Sequence, residues 1–371
     1  MYSKNLPTTS LATESSLETL LTDNLALLRW LRPPQASHNL AEYNTAEEIA
    51  FAMGISLEKL HFLITSLSAS PVTHYLHFKI SKKTGGKRII SAPKPELKAA
   101  QRWILENILE KLEVHNAAHG FCKNRSIVTN AKPHIGANVI VNLDLQNFFQ
   151  SISYKRVKEL FCGFGYSEAT ATIFGLICTT PGIAARNEQI NYISSENCYL
   201  PQGSPASPAI SNLICRNLDS RLTTMAENLG FCYTRYADDL TFSASGEASL
   251  NISNLIKNSK LIINNEGFCV NDHKTKISGK SVQQQVTGVI VNTQLNISKK
   301  TLKAFRATLY QIEQEGLSGK QWGNSTNLIA AITGFASYVA MINPNKGAEF
   351  QLRVERIKQK YGNSQADEIR F

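Results

Sequence analysis

The spacing of apolar residues divides the chain into a helical beginning, a mixed middle and a helical end. Leu17, Leu20, Leu21, Leu25 and Leu28 keep to one face over residues 15–31, which predicts an amphipathic helix ended by Pro33 and Pro34. Two shorter helical patterns, 45–53 and 57–66, are split at Gly54. Together they look like a helix-turn-helix and also fit a packed helical cap. The period then changes to two. Residues 74–80 and 87–92 alternate around a turn at 82–86, which predicts a hairpin. An amphipathic helix is expected over 96–112. Residues 137–145 (ANVIVNLDL) form a nearly continuous apolar strand that ends in an acid. Ser207 as N-cap and Pro208 in the first turn predict a helix running to about Ala226. Residues 231–237 and 240–244 read as two short strands joined at Ala237-Asp238-Asp239, and helices return from about 299 to 361.

Composition narrows this only a little. A chain of 371 residues that is 43% hydrophobic and 18% charged suits two or three soluble globular domains or subdomains. No apolar run approaches the roughly 20 residues that span a bilayer, and the first sixteen residues lack the apolar core of a secretory signal. The seven cysteines stand singly without a CxxC pair, so neither a zinc site nor a disulfide framework is expected, and a reduced cytoplasm is. A formal charge of +10 favours polyanions through counterion release, which admits nucleic acid as a partner without specifying any chemistry.

The chemistry comes from acids in unusual places. Asp238 and Asp239 are adjacent in a strand-to-strand turn and repel each other, with no Asn-Gly or Asp-Gly to explain the turn. Alone, they also fit a solvated surface turn. Asp144 ends an apolar strand, where an unpaired charge is expensive to bury. A divalent cation resolves both problems. Mg²⁺ takes oxygen ligands at about 2.0–2.1 Å and keeps positions for phosphate oxygens. Two such ions about 3.5–4 Å apart activate a hydroxyl and stabilise a departing pyrophosphate. The acids are distant in sequence, so they must meet on neighbouring strands of one sheet. Leu200–Pro208 (LPQGSPASP) adds a rigid loop entering a helix, a surface able to lie under a base pair.

These blocks, VNLDLQNFF, LPQGSPASP, TRYADD and a downstream VTG, resemble those of reverse transcriptases, in order and over residues 74–345. Asn130-Ala131-Lys132-Pro133-His134 is similar to the NAxxH signature of bacterial retron reverse transcriptases, and Val286-Thr287-Gly288 to their VTG signature. The resemblance implies an α+β right-hand polymerase fold. Residues 1–70 are then an N-terminal helical extension, 71–298 fingers and palm, and 299–371 a helical thumb and RNA-binding region.

The same resemblance assigns roles. Asp144, Asp238 and Asp239 become catalytic ligands of two Mg²⁺ ions. Phe149 becomes the aromatic that excludes a ribose 2′-hydroxyl, with Phe148 the better core residue. Arg88 is placed over the incoming triphosphate, Gln202 near the nucleotide sugar, and Lys274 where it could protonate pyrophosphate. A solvated Arg88 and an ordinary surface Lys274 fit as well. Asn130 and His134 enter as candidate RNA contacts, His134 being equally a structural histidine. Arg353, Arg356 and Lys360 share one helix face at i, i+3 and i+7, a candidate RNA grip.

The family implies a cognate structured non-coding RNA and its DNA product, dNTPs, priming from an internal guanosine 2′-hydroxyl, and an antiphage effector partner. The residues after 300 are too few for an RNase H domain, so a separate RNase H is expected to remove the template, and no membrane partner is. Two other readings stay open. One is a group II intron-like or abortive-infection reverse transcriptase with another priming mode. The other is a non-catalytic helix-turn-helix protein, which leaves the acids and the LPQG loop unexplained.

Overall fold

The computed structural model describes residues 40–65, 74–81, 85–181 and 198–361. The helix expected over 15–31 and the 82–84 part of the hairpin turn lie outside them. Chain contacts divide the protein into two compact units, residues 1–113 with 152–210 and residues 114–151 with 211–371.

The described part of the first unit begins with helices α1 (Ala46–Met53) and α2 (Leu57–Thr65). Thr45 caps α1 by accepting from the Glu48 amide, and Gly54 ends it in the left-handed conformation. Strands β1 (Tyr75–Ser81) and β2 (Lys87–Pro93) form the expected antiparallel hairpin. Helix α3 (Pro95–Asn107) is shorter than its apolar period suggested, because a 3₁₀ turn at Leu109–Lys111 replaces its last turn. In the second unit, a short helix α4 (Ile127–Ala131) precedes strand β3 (Val139–Asp144). Returning to the first unit, α5 (Tyr154–Gly163) and α6 (Glu168–Cys178) pack together. There the buried Tyr75 hydroxyl donates to the Thr179 carbonyl and accepts from Gln101 Nε2, which also donates to the Ile177 carbonyl. One buried amide therefore ties the hairpin to α3 and α6.

The helix expected from Ser207 to Ala226 is two helices. α7 (Ser207–Ile214) starts at Ser207 itself, and Cys215 interrupts the run before α8 (Arg216–Asn228). Strands β4 (Cys232–Tyr236) and β5 (Asp239–Ala244), helix α9 (Ile252–Asn265) and strand β6 (Lys276–Gly279) follow. These strands and β3 make an antiparallel sheet in the order β4-β5-β3-β6. The central position of β3 explains its near-continuous apolar sequence: both edges are paired and five of its six residues are buried.

Three helices close the second unit: α10 (Lys299–Glu315), α11 (Leu328–Ile342) and α12 (Pro344–Tyr361). Their core gathers around Phe305, which meets Trp322, Phe335 and Phe350 at 4.6–5.1 Å between ring centroids. Gly347 lets α11 and α12 touch, since a Cβ there would lie 2.1 Å from Ala340 Cα. No helix among the described residues is long and apolar enough to cross a membrane. All seven cysteines are free.

Candidate active site

The sheet register brings the acids together. Asp144, the last residue of β3, lies directly opposite Asp239, the first residue of β5, and directly opposed residues share a face of the sheet. The Leu145 amide donates to the Asp238 carbonyl at 2.9 Å, extending the ladder into the turn. That turn has only two residues, Ala237 and Asp238, closed by the pair Tyr236–Asp239. Ala237 has φ +57°, a left-handed conformation that L-residues rarely adopt. Backbone strain of this kind is concentrated at functional sites.

The electrostatics agree with crowding. Partial desolvation, then the carboxylates of Asp238 and Asp144, push the Asp239 carboxyl up to about 6, while Lys274 opposes the rise. Asp239 reaches solvent, yet its surroundings still penalise its charge. Asp144 is buried, and Lys274 Nζ donates to both of its oxygens at 2.9 and 2.8 Å. Three carboxylates at one end of the sheet suit a hard divalent cation. They are not preassembled around one: among the described residues no group of three acidic, histidine or cysteine side chains stands in ligating geometry. The ammonium of Lys274 holds the carboxylate that a cation needs. Its side chain is half exposed, so it can swing away without disturbing the core.

The aromatic after the acid is also placed. Phe148 is buried against Phe268, 5.6 Å between ring centroids. Phe149 is half-buried, edge-on to Phe148, and 6.4 Å from the exposed Phe121. Phe148 thus fills the core, and Phe149 holds the more open position.

Arg88 and Gln202 belong to the first unit. Arg88 is exposed on β2. The loop carrying Gln202 is pinned to the same strand: the Ser91 amide donates to the Gln202 carbonyl at 2.8 Å. A Cβ at Gly203 would lie 2.8 Å from the Ser91 carbonyl oxygen, so only glycine fits this approach.

The candidate RNA contacts Asn130 and His134 are corrected. Both are fully buried. Ser243 Oγ and Thr234 Oγ1 flank the His134 ring at 2.6 and 2.8 Å, and Thr234 Oγ1 also donates to the Asn130 carbonyl. A consistent donor order runs from Ser243 to His134 Nδ1, then from Nε2–H through Thr234 to that carbonyl. The Asn130 side chain donates to Thr287 in the VTG turn. The two signatures therefore bind each other and the hairpin that carries Asp238 and Asp239, and neither side chain is open to RNA. The VTG segment is a two-residue turn with positive φ at Thr287 and Gly288, a primed hairpin turn between Gln285–Val286 and Val289–Ile290.

Burial lowers the His134 imidazole to about 3, so it is neutral when folded and basic when unfolded. The unfolded chain then binds the extra proton, and stability is lost as pH falls from about 6.5 toward 3. Urea unfolding should show this loss at up to ~1.4 kcal/mol per pH unit from His134 alone. The His134→Gln variant is expected to show a shallower slope between pH 6.5 and 4.5. Equal slopes would contradict the buried neutral histidine.

Arg353 is corrected in part. Its guanidinium makes a bidentate bond to Glu313 on α10 at 2.8 and 2.7 Å, so its charge is already matched. Arg356 and Lys360 are exposed beside it, around a groove of about 320 Å³.

Sequence reasoning missed a buried network behind the turn. Arg235 of β4 is fully enclosed and forms a bidentate pair with Asp219 of α8 at 2.7 and 2.6 Å. Asp219 beside Leu218 and Leu222 on a buried helix face was the available signal.

An acid ending a central antiparallel strand, with two more acids at a strained two-residue turn beside it, fits a template-directed nucleic-acid polymerase. Residues 80–291 match the family described as reverse transcriptase (RNA-dependent DNA polymerase). The retron Mx162 reverse transcriptase of Myxococcus xanthus is 37% identical over 338 residues, 87% of this chain and 69% of that protein. The retron Mx65 reverse transcriptase of the same organism is 35% identical, covering 88% and 75%. The retron Ec86 reverse transcriptase of Escherichia coli is 33% identical, covering 86% and 92%. The chain belongs to the retron reverse transcriptases. It is an RNA-directed DNA polymerase with the right-hand fold of that class, acts on template RNA and dNTPs, and its family works with divalent metal ions.

Proposed function

We propose that this enzyme copies part of its own structured non-coding RNA into single-stranded DNA, starting from an internal guanosine 2′-hydroxyl, and leaves a branched RNA–DNA molecule. The observation that carries the reading is the register of Asp144 opposite Asp239 within a chain similar to retron enzymes over most of its length. Asp144, released by Lys274, would hold two Mg²⁺ ions together with Asp238 and Asp239. Such ions neutralise phosphate charge and make the attacking hydroxyl a better nucleophile. Phe149 bounds the sugar pocket, while Arg88 and Gln202 hold the nucleotide's triphosphate and sugar. Lys274, freed from Asp144, would supply the proton to the departing pyrophosphate. Residues 71–298 act as fingers and palm and 299–371 as thumb, where Arg356 and Lys360 contact RNA phosphates.

The wider setting is an antiphage defence system in the cytoplasm, with an effector protein and a separate RNase H. The test is the nucleic acid that copurifies from the native host. A discrete short DNA that shifts on ribonuclease treatment yet keeps a branched ribonucleotide is expected. DNA without any covalent RNA would contradict the priming mode and leave the polymerase assignment intact.

A further inference from the structure

Among the described residues, Arg235–Asp219 is the one ion pair with both side chains fully enclosed. Enclosing two charges carries a desolvation penalty, and well-packed apolar residues at such positions are often as stable or more so. Packing alone therefore gives a weak reason for the pair. Its connections give a better one. Arg235 directly precedes the four-residue hairpin segment Tyr236-Ala237-Asp238-Asp239. Its Nε and Nη2 are taken by Asp219, which also accepts from the Tyr233 hydroxyl at 2.9 Å. The remaining nitrogen, Nη1, donates to Asn212 Oδ1 and to the Ala237 carbonyl, both at 3.1 Å.

Ala237 is the residue held at φ +57°. Its carbonyl is therefore gripped from inside the protein, one residue before Asp238. The preceding peptide, Tyr236–Ala237, is approached closely by a second segment. Asn212 Nδ2 donates to the Gly120 carbonyl at 2.8 Å, and a Cβ on Gly120 would lie 2.7 Å from the Ala237 amide nitrogen. Both polar groups of the Arg235 backbone pair with that segment, its amide donating to Ala117 and its carbonyl accepting from His119, each at 2.7 Å. Guanidinium suits this post, since one planar fork reaches a carboxylate, an amide oxygen and a backbone carbonyl together.

We propose that Arg235, braced by Asp219 and Asn212, is a positioning residue that clamps the Ala237 carbonyl and thereby holds in place the backbone of the turn that offers Asp238 and Asp239 to a cation. The clamp touches neither substrate nor cation and acts through the backbone. The proposal rests on the assignment of those aspartates as ligands, so the experiment tests that assignment separately.

Mn²⁺ binding to the full-length protein is titrated by electron paramagnetic resonance, well below the melting temperature, with melting recorded in parallel. Lysine keeps a positive charge opposite Asp219 but cannot reach Asn212 and Ala237 at the same time. Arg235→Lys is expected to weaken Mn²⁺ binding about tenfold. Asn212→Ala, which leaves the ion pair in place, should weaken it several-fold. In primer extension both should lower kcat and leave the KM for primer–template unchanged. Asp238→Asn is the control and should remove the site. Should Arg235→Lys fail to fold, Asn212→Ala decides the question. Variants that melt lower yet bind Mn²⁺ as the wild type does would overturn the clamp and make the network purely structural. Unaltered Mn²⁺ binding by Asp238→Asn would instead overturn the ligand assignment and the proposal with it.

Discussion

The double variant Asp238→Asn, Asp239→Asn should fold, bind RNA and make no DNA. Asparagine preserves the shape of both side chains and removes the charge that holds a cation. Lost metal-ion stabilisation of the phosphates is worth several kcal/mol, and ~4 kcal/mol corresponds to about a thousandfold in rate. Stability should not fall, because the Asp239 carboxyl is already penalised by its surroundings and by Asp238 and Asp144. Removing two of three crowded acids relieves that repulsion. The check is primer extension on an RNA template with Mg²⁺ beside a melting curve and an RNA-binding isotherm. Wild-type rates would contradict the assignment. Loss of folding together with activity would show that the acids serve the sheet.

Phe149→Ala should open the enzyme to ribonucleotides. Phe149 is half-buried and leans edge-on against Phe148, whereas Phe148 fills the core against Phe268. Truncating Phe149 therefore empties space at the surface and leaves the core packed. If its ring blocks the 2′ position, the preference for dNTPs over rNTPs should drop about 100-fold, or ~2.7 kcal/mol of discrimination. Single-nucleotide incorporation with dNTP and rNTP gives the ratio directly. Unchanged selectivity in an active variant would return Phe149 to ordinary packing.

Where side-chain periodicity meets backbone pairing, the structure was legible from sequence. Alternation placed the β1–β2 hairpin, the short strands around Ala237-Asp238-Asp239 became the β4–β5 hairpin, and the apolar run over 137–145 became strand β3. The requirement that distant acids share one sheet is met by the Asp144–Asp239 register. What escaped depends on contacts between elements that no local pattern encodes. The break at Cys215 interrupts a run with continuous helical spacing. Arg235 occupies a strand position that also fits an exposed charge, and only the packing of α8 supplies Asp219. A signature such as NAxxH marks residues under constraint without naming their partner. For His134 the partners are Thr234 and Ser243 inside the protein. The i, i+3, i+7 spacing correctly put Arg353 on the face of Arg356 and Lys360, but Glu313 comes from another helix.

Lys274 makes the central claim directly observable. In the structure its ammonium holds both oxygens of Asp144, so a cation must displace it. Anomalous diffraction from Mn²⁺ in crystals of the enzyme with an RNA template, a primer and a non-hydrolysable dNTP reads that exchange. The expected result is Mn²⁺ about 2.1 Å from carboxylate oxygens of Asp144 and Asp238, with Lys274 turned toward the triphosphate. Mn²⁺ bound elsewhere, with Lys274 still paired to Asp144 in a complex poised to react, would contradict it.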